Sequence, residues 1–372
     1  MAILWLLMAL VLLCFVLLPV LRRGRGAGAG GPAGRPDPAR AAAYGLVPEE
    51  ELDVRLPGPD KDLLDVLDVV RRTRDYGAAA QLLAGTDAEG EARWQRVQAF
   101  AGAAALELAQ QPGGIHQTPG GQWLRVWRAE RPKDAGGAAV YAEFLAQQAW
   151  RTSAPGTEAF RIIMEEARQA CGEAALLAPG DPVPYIVELS AARGLGSPRE
   201  EFEKLWRTVA DRAPHHMGAH LAALRYWGEE WHGSREEAYA FAEDAAARAP
   251  EGSLLSALPL FAVFQHIPEV NLVRSFYQSE VVTRAVQGAL HAVHTARADD
   301  QLVAHVRHLL LFFLVRAERW PEAMDQLAHV DGYVGALPWT LSADPAAAFA
   351  AHRALAVAGY EAAGGTPAGL PG

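Results

Sequence analysis

Cysteine is nearly missing from this 372-residue chain: Cys14 lies inside an apolar run and Cys171 in a helical pattern far away. Two such residues build neither a disulfide framework nor a cysteine-ligated metal cluster, which suits a reducing compartment. Clustered basic charge is missing beyond residue 43. Arg22, Arg23, Arg25, Arg35 and Arg40 against Asp37 make the first 43 residues +4, so the net charge of −10 leaves −14 for the remainder. An acidic body argues against nucleic acid as the main partner, because phosphate binding draws on grouped Lys and Arg. Runs of Val, Ile and Thr with period two are missing as well, which removes the usual signature of a strand. The sequence has no Gly-x-Ser-x-Gly elbow, no GxxxxGK[ST] phosphate loop, no HExxH and no Cys-His constellation. No catalytic residue is therefore nominated, and no cofactor is expected.

Charge is also missing from residues 1–21, MAILWLLMALVLLCFVLLPVL. At 1.5 Å per residue such a run reaches about 31 Å, enough for a hydrocarbon core of roughly 30 Å. A cleaved signal peptide would carry its basic residues before the apolar run and a small-x-small exit after it, whereas here the arginines follow. The expectation is one N-terminal transmembrane helix. Arginines on its C-terminal flank favour a cytoplasmic body by the positive-inside bias, giving a single-pass protein of the cell membrane. Residues 22–43, RRGRGAGAGGPAGRPDPARAAA, read as a Gly/Pro/Arg-rich flexible tether. Gly26, Gly28 and Gly31 spell GxGxxG, but a dinucleotide loop must follow a strand and open a helix, and this one follows a lipid-spanning run.

From residue 60 onward apolar residues recur at helical spacing, with breaks at PGG 112–114, APG 154–156 and GSP 196–198. That pattern implies an all-α body of about a dozen helices over 44–363, with a disordered tail at 364–372. A repeat runs through it. Ala-Pro pairs stand at 178–179, 213–214 and 249–250, separated by 35 and 36 residues, and a leucine follows each proline ten residues on, at Leu189, Leu224 and Leu260. Each unit then reads as an antiparallel helix pair closing at its proline. Pairs of this kind bury their apolar faces only by stacking, which predicts a tetratricopeptide-like α-solenoid. Farther on, AERWPEA resembles an inter-helix turn, Leu309–Val315 reads as a fully buried helix, and Asp344-Pro345 caps a last helix.

The stretch LWRTVADRAPHHMGAHLAALRYWGEEWHGSREEAYAFAEDAAARAPEGSLLSAL resembles uncharacterised actinobacterial membrane-anchored proteins with tetratricopeptide-like helical repeats. Their pattern, W…RAPHH…AH…AL.YW…WHGS…FA…AP.GSLL, covers about residues 200–265. The resemblance implies a helical-repeat domain of unassigned activity. Glu230 stands where a lysine is expected in that pattern.

His216 and His220 share a helix face, and His232 could approach with Glu229 or Glu230 as an oxygen ligand, which makes a metal-dependent hydrolase the alternative reading. The repeat argues for something plainer. Positions equivalent to His216 are Asp181 and Gly252, and those equivalent to His220 are Tyr185 and Ser256. His216 then starts a helix and His220 fills the groove between units. The pairs His291/His294 and His305/His308 likewise fall on helix faces, the second leading into the buried helix. Stacked first helices also make a long trough, and the candidate partner-binding residues along it are Tyr185, His220, Trp227 and Trp231. The expected function is a non-enzymatic, membrane-anchored adaptor or scaffold for a protein partner, with self-association of the repeats as a further possibility.

Overall fold

The computed structural model describes residues 38–87, 90–109, 121–268, 274–297 and 299–367. Among these the chain is all-helical, with seventeen α-helices, no strand and one isolated parallel bridge between Asp53 and Tyr333. The expected span 1–21 lies outside the described residues, and among those described no helix is long and apolar enough to cross a membrane. Of the expected tether 22–43, residues 22–37 lie outside the described residues, and Pro38–Ala43 forms a short helix, α1. Proline at a first helical position followed by alanines favours that conformation. Residues 364–367 of the expected tail are described, and 368–372 lie outside the described residues. Gly364 has φ 90°, and Gly365 N–H donates to Tyr360 O at 2.9 Å, closing the last helix as a C-terminal cap.

The described residues divide into two compact units rather than the single repeat domain expected over 44–363. The larger comprises Pro59–Ala262 and His291–Val303. It contains α2 (Lys61–Thr73), α3 (Gly77–Ala84), α4 (Glu91–Ala109), α5 (Gln122–Glu130), α6 (Ala135–Thr152), α7 (Glu158–Leu177), α8 (Val183–Leu195), α9 (Arg199–Arg212), α10 (Met217–Tyr226) and α11 (Arg235–Ala247). Helix starts follow side-chain oxygens that accept orphan backbone N–H groups. Asp60, Asp134, Thr157 and Ser234 cap α2, α6, α7 and α11 in this way. Gly196, at φ 71°, ends α8 in the left-handed conformation that a Cβ disfavours.

The first two Ala-Pro pairs occupy matching corners. Ala178 and Ala213 both end their helices at φ near −140° (−140° and −142°). Ala178 N–H donates to Ala174 O at 3.1 Å and Asp181 N–H to Ala178 O at 3.0 Å; the counterparts are Ala213 to Val209 at 2.9 Å and His216 to Ala213 at 3.2 Å. The third corner is displaced by one residue. There α11 stops at Ala247, Arg248 takes the terminal position, and Gly252 turns the chain at φ 79°. Ser253 then caps a one-turn 3-10 helix, Leu254–Ala257, which leads into α12 (Leu258–Gln265). Leu189, Leu224 and Leu260 are all fully buried. Neighbouring first helices α8 and α10 pack side by side, with α7, α9 and α11 as the second members of their hairpins.

The other unit holds the described residues up to Gly58, those within Val263–Leu290 and those from Ala304 onward. Its helices include α13 (Arg274–Tyr277), α14 from Glu280 (Glu280–Thr295), α15 (Val303–Arg316), α16 (Trp320–Val330) and α17 (Pro345–Ala362). Leu309, Leu310, Leu311, Phe313, Leu314 and Val315 are buried, as the apolar run implies. The AERWPEA turn joins α15 to α16 with Glu318 at φ 59°, and Asp344 caps α17 by accepting Ala347 N–H at 3.0 Å. Arg353 donates to Asp331 at 2.8 Å and to Val47 O at 2.7 Å, while Asp331 accepts Val47 N–H at 2.6 Å.

His308 is fully buried in this unit. Its Nε2–H donates to Pro57 O at 2.8 Å, and its Nδ1 accepts Trp339 Nε1–H at 3.0 Å, so both ring nitrogens are satisfied by the neutral ring. Burial pushes its pKa from 6.5 down to about 3. The unfolded chain binds a proton between those values that the folded unit refuses, so stability present above pH 6.5 is lost as pH falls toward 3. This one group removes about 1.4 kcal/mol per pH unit inside that window. Urea unfolding between pH 7 and pH 5 is expected to show a stability slope that drops by close to one proton in His308→Gln. An unchanged slope would contradict the assignment.

Candidate functional site

The helix-entry ends of the stacked first helices do not face an open trough. They dock on α4. Asp181, at the entry to α8, meets Arg93 of α4, with Arg93 Nε 2.6 Å from Asp181 Oδ2 and both side chains almost wholly buried. Its other oxygen accepts Val183 N–H at 2.9 Å. One repeat later His216 takes the equivalent place. Its Nδ1 accepts Ala219 N–H at 3.1 Å as the cap of α10, and Glu91 Oε2 of α4 stands 3.0 Å from the same nitrogen. Gly218 lets the Trp94 ring lie against α10, since a Cβ there would come within 2.8 Å of the indole. Asp181 and His216, equivalent helix-entry positions, thus contact Arg93 and Glu91, two positions apart on a single helix.

Glu91 accepts the N–H groups of Met217 and, at 3.3 Å, Gly218, both in the first turn of α10. Burial, and next the field of Asp300, push its carboxyl up to about 8. Burial holds His216 down at about 3, with His220 adding to the effect. At neutral pH burial therefore keeps both groups uncharged, Glu91 as the protonated acid and His216 as the neutral ring. The folded pKa of Glu91 is raised, so its stabilisation is present below pH 4.5 and lost as pH rises through 8. Gln at position 91 imitates the protonated acid. Glu91→Gln is expected to gain on the wild type by up to about 1.4 kcal/mol per pH unit across that window, read from urea midpoints. Parallel pH profiles would refute a protonated Glu91.

The histidines do not converge. His220 Nδ1–H donates to His216 O at 2.9 Å, and the ring packs edge-on against Trp206 at 4.9 Å and beside Phe241 at 5.9 Å. His232 is elsewhere, stacked on Tyr226 at 4.7 Å with Nε2 3.4 Å from Arg193 O. Among the described residues no group of three or more His, Cys, Asp or Glu is arranged to hold a metal ion. The His216/His220/His232 cluster is thus separated into a helix cap, an inter-helix packing residue and an exposed loop residue.

The four candidate partner-binding residues fall into two classes. Trp227 is buried among Phe202, Tyr226 and Phe241, with the Arg199 guanidinium 4.7 Å above its ring. His220 is buried too, so neither can meet a partner without unpacking the hairpins. Tyr185 and Trp231 are half-buried. Tyr185 carries the Arg212 guanidinium 4.3 Å from its ring centre, and Arg212 also donates to Pro179 O at 3.1 Å. Trp231 stands edge-to-face with Trp150 at 5.3 Å. The Arg193 guanidinium lies in the corner they form, 4.7 Å from the Trp150 centroid and 4.8 Å from that of Trp231.

Sequence reasoning missed Trp150, Arg193, Arg93 and Glu91. Trp150 and Arg193 lie in separate helices with ordinary amphipathic patterns, and no local spacing points from either to Trp231. Comparison with protein-family models, curated proteins and solved structures finds no match to this chain.

Proposed function

We propose that this chain is a membrane-anchored adaptor: a single-pass anchor in residues 1–21, a short Gly/Pro tether, and a tetratricopeptide-like α-solenoid that holds a protein partner at the cytoplasmic membrane face. The observation that carries this reading is the succession of hairpins closing at equivalent Ala-Pro corners, with α8 and α10 side by side. Such repeats build extended surfaces suited to protein recognition. The resemblance of residues 200–265 to actinobacterial membrane-anchored repeat proteins supports the same assignment. Of the expected contact residues, the reading retains Tyr185 and Trp231, whose aromatic faces remain partly accessible. Tethering would raise the effective concentration of any partner sharing the membrane.

Photo-crosslinking in intact membranes tests the proposal. A photoreactive residue at position 185 or 231 is expected to give one discrete adduct common to both sites. It should be lost when residues 1–43 are deleted, and a reporter fused after Gly372 should be cytoplasmic. Adducts containing only a second copy of this chain would replace the adaptor with a self-assembling scaffold. The metal-hydrolase reading gains no support from the separated histidines.

A further inference from the structure

Arg193 is the least explained charge in the larger unit. It is only 6% exposed. No side-chain hydrogen bond or ion pair satisfies it among the described residues, and its Nε is fully buried without a partner. What surrounds the guanidinium is aromatic, with Trp150 on one side and Trp231 on the other. Trp150 is itself fixed, since its Nε1–H donates to Ser190 Oγ at 3.2 Å. Cation–π contacts of this sort attract the cation to the ring faces. They orient the cation but leave its buried Nε–H without an acceptor, and unpaired buried donors are disfavoured.

The electrostatics point the same way. Burial and, next, the charge of Arg225 lower the pKa of Arg193 to about 9, with Glu230 opposing them. Two guanidiniums and one carboxylate leave a single positive charge at this corner. A singly charged planar anion matches that surplus, and a carboxylate fits the guanidinium fork with two parallel hydrogen bonds. A phosphate dianion would exceed the surplus and meet Glu230.

We propose that Arg193, walled by Trp150 and Trp231, is a carboxylate-binding subsite for an acidic group of a protein partner, either an Asp or Glu side chain or a chain terminus. The subsite rests on the adaptor reading only for the natural source of the carboxylate. The indole walls would exclude water around the ion pair and strengthen it. Arg225, which is exposed, would steer the anion inward.

The test uses the full chain in detergent micelles, labelled with 5-fluorotryptophan, with Trp150→Phe and Trp231→Phe assigning two fluorine resonances. Three blocked tetrapeptides are titrated: acetyl-Ala-Ala-Glu-Ala-amide, acetyl-Ala-Ala-Gln-Ala with a free C-terminus, and the uncharged acetyl-Ala-Ala-Gln-Ala-amide. Inorganic phosphate is the fourth probe. Saturable shifts of both resonances with at least one carboxylate peptide, tenfold weaker with the uncharged one, are expected, and the first two arms show which carboxylate is preferred. Arg193→Gln should abolish the response, and Arg225→Gln, which leaves the aromatic corner intact, should weaken it several-fold. Equal shifts with the uncharged peptide, no shift with any peptide, or a stronger response to phosphate would each overturn the assignment, whether or not Arg193→Gln folds. Because the probes are added peptides, failure here is separable from failure to crosslink a partner in membranes.

Discussion

Asp181→Ala is expected to destabilise the larger unit by about 3–5 kcal/mol, the range for removing one partner of a buried ion pair. Asp181 and Arg93 are joined at 2.6 Å with side-chain exposures of 1% and 8%. Arg93 has one other acceptor, Leu83 O at 3.0 Å, which cannot neutralise its charge. Truncation leaves a guanidinium in a poorly solvated site and also strips the acceptor from Val183 N–H. Domain stabilities run to roughly 5–15 kcal/mol, so the loss is a large fraction of the whole. Asp181→Asn, which keeps the acceptor at the helix entry, should lose less. Pairing it with Arg93→Met should recover part of the difference, because the orphaned charge is then gone. Urea unfolding of the wild type, Asp181→Asn, Arg93→Met and the double variant measures the cycle, and in the same assay a loss under about 1 kcal/mol for Asp181→Ala would show that water reaches Arg93.

Gly233→Ala is expected to cost about 3 kcal/mol, at the upper end for an inserted methyl group. A Cβ there would lie 2.2 Å from Trp227 O and 2.6 Å from the Trp227 carbonyl carbon. Backbone atoms cannot move aside as a side-chain tip can, so the 228–233 turn must open. That turn is held by Trp231 N–H to Gly228 O at 3.0 Å and His232 N–H to Tyr226 O at 3.2 Å. Opening it carries Trp231 away from Arg193, so thermal midpoint and Trp231 fluorine shift should change together. A variant with wild-type stability would mean that the turn has slack the close packing does not suggest.

Much of the helical order was legible because it is written locally. The first two Ala-Pro corners end their helices at the alanine itself, and the leucine ten positions on is buried in all three cases. Asp181 and His216 were recognisable as equivalent helix-entry positions for the same reason. Their partners were not. Arg93 lies 88 residues before Asp181, and nothing in the pattern of α4 distinguishes a helix that fills a trough from one that lines it. The four aromatic and histidine candidates were equally ambiguous, since a buried Trp227 and a half-exposed Trp231 have the same composition and nearly the same neighbours in sequence. Division into two units was hidden by distance. Val47 pairs with Asp331 across 284 positions, a separation that no window of hydrophobic periodicity spans.

That long-range pairing sets an order of events during synthesis. Asp53 N–H donates to Gly332 O, Val334 N–H donates back to Asp53 O, and Gly335 N–H donates to Leu56 O. Residues made early must therefore wait, with backbone groups unanswered, until nearly the last helix has left the ribosome. Contacts that close so late in sequence are slow to form and leave apolar surface open to aggregation meanwhile.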